Sequence, residues 1–223
     1  MLEIKAIGIG GIGCALLPFL CRYLQYSGEK ARITLIDGDN FARSNAPRQA
    51  FSRLGNKAEV KARELAQEFD NLSLRAVPEF VTPENVARLL KEGDVVLLMV
   101  DNHASRKLVS DHAATLPAVT LISGGNDFVD GNVQVFLRRG GESLTPSLSR
   151  YHPEIAQPRD TNPAELSCEE LMARGAPQLL FTNLMVASMM LNAFYAFSQD
   201  RLTYAEVYLD ILENLTRPVT RPV

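Results

Sequence analysis

Cysteine is scarce in this chain: the 223 residues contain three, Cys14, Cys21 and Cys168, with no C-x-x-C pair. So few and so scattered, they exclude a disulfide framework and point to a reducing, cytoplasmic setting. They also offer no zinc-binding pattern. The N-terminus "MLEIKAIGIG" lacks the charged region, long apolar core and cleavage site of a secretory signal. No excess of positive charge is present either: the net charge is −3, with both signs interspersed. Nucleic acid is therefore not expected as a partner. One uncharged stretch, "LLFTNLMVASMMLNAFYAF" (179–197), approaches the length that spans a bilayer. It carries Thr182, Asn183, Ser188 and Asn192 and has no flanking basic cluster, so it reads as a helix buried in the fold and no membrane partner is expected.

The length suits one main domain over 1–223. Apolar, β-branched runs alternate with segments of helical period: "IKAIGIG" and a helix from Gly11, "ARITLID" and "KAEVKARELAQEF", "LRAVPEFV" and "PENVARLLKE", "DVVLLMVD" and "SRKLVSDHAATL", then "AVTLISGG". Such βαβ units predict an α/β, Rossmann-like, doubly wound and mainly parallel sheet. "GNVQVFLRRGG" alternates polar and apolar residues and predicts an antiparallel extension. Residues 139–167, with four prolines, read as an ordered crossing loop or lid leading into the apolar C-terminal helix. "YAEVYLDILENLTRPVTRPV" reads as a last strand and a Pro/Arg tail.

The chemistry concentrates in three places. "GIGGIG" places Gly8, Gly10, Gly11 and Gly13 between the first strand and its helix, where backbone N–H groups and the helix N-terminus can meet phosphate. Asp37 ends the second strand, where a carboxylate can accept from ribose hydroxyls. These two features suit a nicotinamide dinucleotide as well as ATP. Asn45, Arg48, Gln49 and Lys57 follow within twenty residues, more polar and cationic groups than a dinucleotide requires but suited to a triphosphate under cleavage. Asp101 ends the fourth strand, at the edge where open α/β sheets bind ligands, and can hold Mg²⁺. His103, His112 and His152 have no evident catalytic partners, and Cys14 and Cys21, seven apart, read as core.

Together "GIGGIG", "LIDGDNFARSNAPRQ", "GNKAEVKA", "VDNHASR" and "SCEEL…GAPQLLFTNLMVASMMLNAF" resemble the ThiF/MoeB/ubiquitin-activating-enzyme superfamily of adenylyltransferases, from residue 4 to about 197. The resemblance implies ATP and Mg²⁺ as cofactors and a small ubiquitin-fold or sulfur-carrier protein whose C-terminal carboxylate is adenylated, with pyrophosphate released. It implies that the glycine loop and Asp37 hold adenosine with Asp39 nearby. Asn45, Arg48 and Lys57 would meet the triphosphate, with Gln49 completing the motif; Asp101 would be linked to Mg²⁺, with Asn102 and Arg106 in the same segment. It further implies a homodimer. The chain departs from many relatives in lacking the cysteine pairs of a structural zinc and an N-terminal arm carrying an arginine, and in reading "SNAPRQ", where Pro47 stiffens the turn. Cys168 falls near a cysteine that some relatives use covalently, although Glu169 and Glu170 beside it disfavour a thiolate. Other readings within reach are a non-catalytic half of a heterodimer, adenylation of a peptide or tRNA-base substrate, and an NAD-dependent oxidoreductase.

Overall fold

The first apolar run forms β1 (Leu2–Ile7), and the glycines after it turn the chain into α1 (Gly11–Ser27). The computed structural model describes residues 1–166 and 178–223. Among these, the further strands are β2 (Ala31–Ile36), β3 (Asn40–Phe41), β4 (Gly55–Asn56), β5 (Ser73–Val77), β6 (Val95–Leu98), β7 (Val119–Asn126), β8 (Asp130–Arg139), β9 (Glu142–Ser143), β10 (Glu206–Asp210) and β11 (Leu215–Val219). The further helices are α2 (Lys57–Glu68), α3 (Val86–Leu89), α4 (His103–Ala113), α5 (Pro153–Ala156) and α6 (Leu180–Ser198).

The main sheet has the order β11-β10-β8-β7-β6-β1-β2-β5, with β9 on β8. β5, β2, β1, β6 and β7 run parallel. β8 continues the sheet antiparallel to β7, followed by β10 and β11. From β1 the chain winds outward through β2 and β5, then returns to β6 on the other side of β1. This reversal opens a crevice at the carboxyl ends of β1 and β6, the usual ligand position in such sheets.

Both faces of the parallel half are covered, and the alternation of β6 shows it. Val95 and Leu97 join the core beneath α1, α2 and α6, whereas Val96 and Leu98 join the core beneath α3 and α4. On α1, Leu16, Leu17, Leu20 and Leu24 give the apolar face that meets this sheet. α6 is long and apolar enough to cross a membrane by length and composition alone. It packs on α1, β7 and β8 through Val186, Met190 and Phe194, while Phe181, Leu184 and Tyr195 are exposed.

Two expectations from the sequence change. "PENVARLLKE" is a single turn, because Asn85 Oδ1 accepts from Thr82 N and Asp94 Oδ2 accepts from Lys91 N, closing the chain at each end. The C-terminal stretch is a two-strand hairpin rather than one strand: Pro218 in β11 pairs opposite Val207 at the sheet edge, where a missing N–H is tolerated. The described part of the crossing stretch is tied to neighbouring elements by hydrogen bonds. Asp160 accepts from the N–H groups of His103 and Ala104 at 2.7 and 2.8 Å, and Asn162 donates to the carbonyl of Val81 at 2.9 Å.

Candidate active site

The β1–α1 loop is shaped by backbone crowding. Gly8 has φ of +86°, and a Cβ there would lie 2.8 Å from the carbonyl carbon of Met99. Gly13 sits behind the loop, where a Cβ would lie 2.7 Å from the Gly8 oxygen, so it sets how closely α1 packs on β1. Gly10 caps α1 without a side chain. The helix N-terminus, with Gly10, Gly11 and Ile12, therefore faces the crevice as an uncapped, partly positive site suited to an anion.

Asp37 closes this loop from the next strand. Its Oδ2 accepts from Ile9 N at 2.6 Å and its Oδ1 from Asp39 N at 2.8 Å. Burial pushes the Asp37 carboxyl above its ordinary range, opposed by the charge of Lys57 and these two N–H donors. The side chain thus both braces the loop and borders the crevice. Beside it the ring of Phe80 packs on Gly38, where a Cβ would come within 2.6 Å of Cδ2, and makes a flat apolar wall suited to a base.

The cationic segment is held by its own local bonds. Asn45 Oδ1 accepts from Ala42 N at 2.8 Å, tightening the turn that presents Arg48 and Gln49. Arg48 Nε and Gln49 Oε1 are shut from solvent and have no hydrogen-bond partner among the described residues. Asn56 caps α2 by accepting from Glu59 N, and its Nδ2 donates to the carbonyls of Asp37 and Asp39. Lys57 follows immediately, its Nζ 2.5 Å from Asp39 Oδ2.

Across the crevice, Asn102 is the cap of α4, accepting from Ser105 N at 2.8 Å. Asp101 is left exposed at the crevice, with no capping duty. Arg106 is buried and donates to Ser123 Oγ and to the carbonyls of Val100 and Gly124, at 2.7–2.9 Å. It ties the ends of β6 and β7 together; burial pulls its pKa down to about 10 despite the charges of Asp101, Asp160 and Glu154.

Of the described site residues expected from the sequence, all except Gly13 border one cavity of about 1150 Å³. That is larger than a pocket for a single small molecule, commonly 300–1,000 Å³ as an order of magnitude. Cys168, with Glu169 and Glu170, lies outside the described residues. Cys14 and Cys21 are core residues, their thiols pushed by burial up to about 11 and about 12.

Sequence reasoning missed several groups that border the same cavity. Asn183 comes from the first turn of α6. His152 sits at the far end, its Nε2 2.7 Å from Glu206 Oε1 and its Nδ1 2.8 Å from Glu154 Oε1. Burial alone would lower the His152 pKa, but the two carboxylates more than reverse this and raise it. Glu206 is distant from His152 in sequence, as Gly11 is from Asn183, so no spacing rule joins either pair.

The geometry has clear relatives. Escherichia coli (strain K12) molybdopterin-synthase adenylyltransferase is 30% identical over 160 residues, covering 69% of this chain and 61% of that protein. Danio rerio adenylyltransferase and sulfurtransferase MOCS3 is 31% identical over 144 residues, covering 63% of this chain and 30% of that protein. The chain thus spans less than two thirds of the length of either relative. In structure, E. coli MccB solved with ATP superposes with a TM-score of 0.75 at 16% identity, covering 98% of this chain and 63% of that one, a likeness of fold. The sequence profile of the ThiF family matches residues 2–217, and this chain belongs to that family.

Proposed function

We propose that this chain is an ATP-dependent adenylyltransferase that activates the C-terminal carboxylate of a small ubiquitin-fold or sulfur-carrier protein. One observation carries the reading: Arg48 Nε and Gln49 Oε1 are buried without partners among the described residues, in the wall of a cavity that opens on the uncapped N-terminus of α1. Buried polar groups of this kind are costly unless a ligand completes them. A nucleotide triphosphate supplies the acceptors that Arg48 lacks, and the names of the adenylyltransferase relatives favour ATP.

The chemistry asks little of the protein beyond placement. A C-terminal carboxylate, with a pKa of about 3.3–3.7, is already ionised at neutral pH. Its oxygen attacks the α-phosphorus, the bond from that phosphorus to the bridging oxygen breaks, and pyrophosphate carries away the electron pair. No proton moves, so no general base is required. Arg48 and Lys57 offset charge on the transferring and leaving groups, with Lys57 exchanging its hold on Asp39 for phosphate. Asp101 would hold Mg²⁺, which supplies further charge neutralisation.

The space beyond the nucleotide half, reaching His152 and Tyr208, is suited to an extended acyl tail. A short peptide carboxylate fits that space as well and is the second reading. The exposed apolar residues Phe19 and Tyr26 of α1 and Phe181, Leu184 and Tyr195 of α6 favour a homodimer. Exchange of labelled pyrophosphate into ATP tests the function: dependence on a ubiquitin-fold protein with a free C-terminus supports it, and dependence on a short peptide selects the second reading. A nucleotide-binding half without activity predicts ATP binding and no exchange with either.

A further inference from the structure

Asn183 occupies a position where packing alone would place an apolar side chain. It lies on the face of α6 that continues through Val186, Met190 and Phe194 into the core. The residue is 0% exposed, and neither Nδ2 nor Oδ1 has a hydrogen-bond partner among the described residues. Its neighbour Thr182, equally buried, is satisfied by donating to the carbonyl of Phe128 at 2.6 Å. The polar atoms of Asn183 are therefore not a by-product of a polar stretch.

The amide abuts the nucleotide loop. A Cβ on Gly11 would fall 2.7 Å from Asn183 Cγ, so the absence of a side chain at 11 is what admits the amide. Asn183 also borders the cavity together with Gly10, Gly11 and Gln49. Arg48, Gln49 and Asn183, each with a buried polar atom that has no hydrogen-bond partner among the described residues, thus line the cavity that opens on the first turn of α1. Arg48 and Gln49 come from the β2 side, and Asn183 from the side of β7 and β8. The two amides flank the first turn of α1, since a Cβ on Gly10 would lie 3.9 Å from Gln49 Nε2 as one on Gly11 would lie beside Asn183.

We infer that Asn183 contacts the substrate in the reaction, donating from Nδ2 to an α-phosphate oxygen of the bound nucleotide. The inference rests on the adenylyltransferase reading. A donor at that oxygen orients the α-phosphorus toward the incoming carboxylate, and it gains strength as negative charge accumulates there.

The test is calorimetric binding of ATP, AMP and adenosine to the wild-type chain and to Asn183→Ala and Asn183→Asp, with thermal unfolding of each without nucleotide. Asn183→Ala is expected to bind ATP and AMP about tenfold more weakly, the loss of one hydrogen bond to a charged group, and adenosine as before. Its unfolding temperature without nucleotide should equal or exceed that of the wild type, since an unpaired amide has been removed. Asn183→Asp, nearly isosteric, should lose more affinity for both phosphates through repulsion. Unchanged ATP and AMP affinity, an equal loss for adenosine, or a loss for ATP alone would overturn the inference while leaving the adenylyltransferase reading intact. A wild-type chain that binds neither ATP nor AMP would overturn both.

Discussion

Ile9 and Asp37 are joined across two strands: the Ile9 N–H donates to Asp37 Oδ2 at 2.6 Å, so the carboxylate that borders the crevice also fixes the glycine loop. Because Oδ1 accepts a second N–H, from Asp39, Asp37→Asn must set its NH₂ group against one of these donors. The variant should lose about 1–3 kcal/mol by leaving a buried donor unpaired. For a chain of this size that is a fall of roughly 2–12 °C in unfolding temperature. Thermal unfolding followed by circular dichroism checks this, and an unchanged midpoint would contradict the bracing role.

Gly8→Ala tests the other half of the loop. The residue combines φ of +86° with a 2.8 Å approach to the Met99 carbonyl carbon, so an added methyl meets backbone that cannot step aside. The expected cost is about 2–4 kcal/mol, from the left-handed conformation and overpacking together. Chemical denaturation should show a lower midpoint with the same slope.

Arg48→Ala should separate folding from chemistry. Arg48 Nε has no hydrogen-bond partner among the described residues, so the unfolding temperature should stay within about 2 °C of wild type. Pyrophosphate exchange should fall roughly 10²–10³-fold, as expected for one lost charge-stabilising donor. Unchanged exchange would favour a nucleotide-binding scaffold.

His152 gives a pH dependence with a definite sign. Its pKa is raised in the folded chain by Glu206 and Glu154, against the effect of burial. The stabilisation is fully present below the unfolded value of about 6.5 and is lost as pH rises through the higher folded value. The unfolding temperatures of wild type and His152→Gln should therefore differ most near pH 6 and converge in alkaline buffer. Equal differences at every pH would show that His152 acts by packing alone.

Thiol accessibility checks the core. Burial holds the pKa of Cys14 near 11 and that of Cys21 near 12. In a Cys168→Ser background neither should react with a disulfide reagent at pH 8 in the native state, and both should react in denaturant.

The parallel half of the fold was legible because β1, β2 and β6 are short apolar runs followed at once by the glycines, Asp37 and Asp101 that close them. Arg48 and Lys57 were legible for the same reason, being local to the turn and cap that present them. β11 was not, since Pro218 reads as a breaker and only its edge position makes it tolerable. Asn183 meets a glycine far away in sequence, at position 11, and His152 meets Glu206, so no spacing rule connects them. Asp160, which caps α4 from the crossing stretch, is hidden in the same way. Arg106 has a second duty that its place in the sequence does not reveal: it borders the cavity and its guanidinium braces β6 against β7.

In the proposed reaction a carboxylate attacks the nucleotide without a general base. Exchange of ³²P-labelled pyrophosphate into ATP, measured with and without a ubiquitin-fold protein ending in a free carboxylate, tests it most directly. Exchange should require that protein and Mg²⁺ and disappear when its C-terminus is amidated. Failure to bind ATP, or exchange that survives amidation, would contradict it.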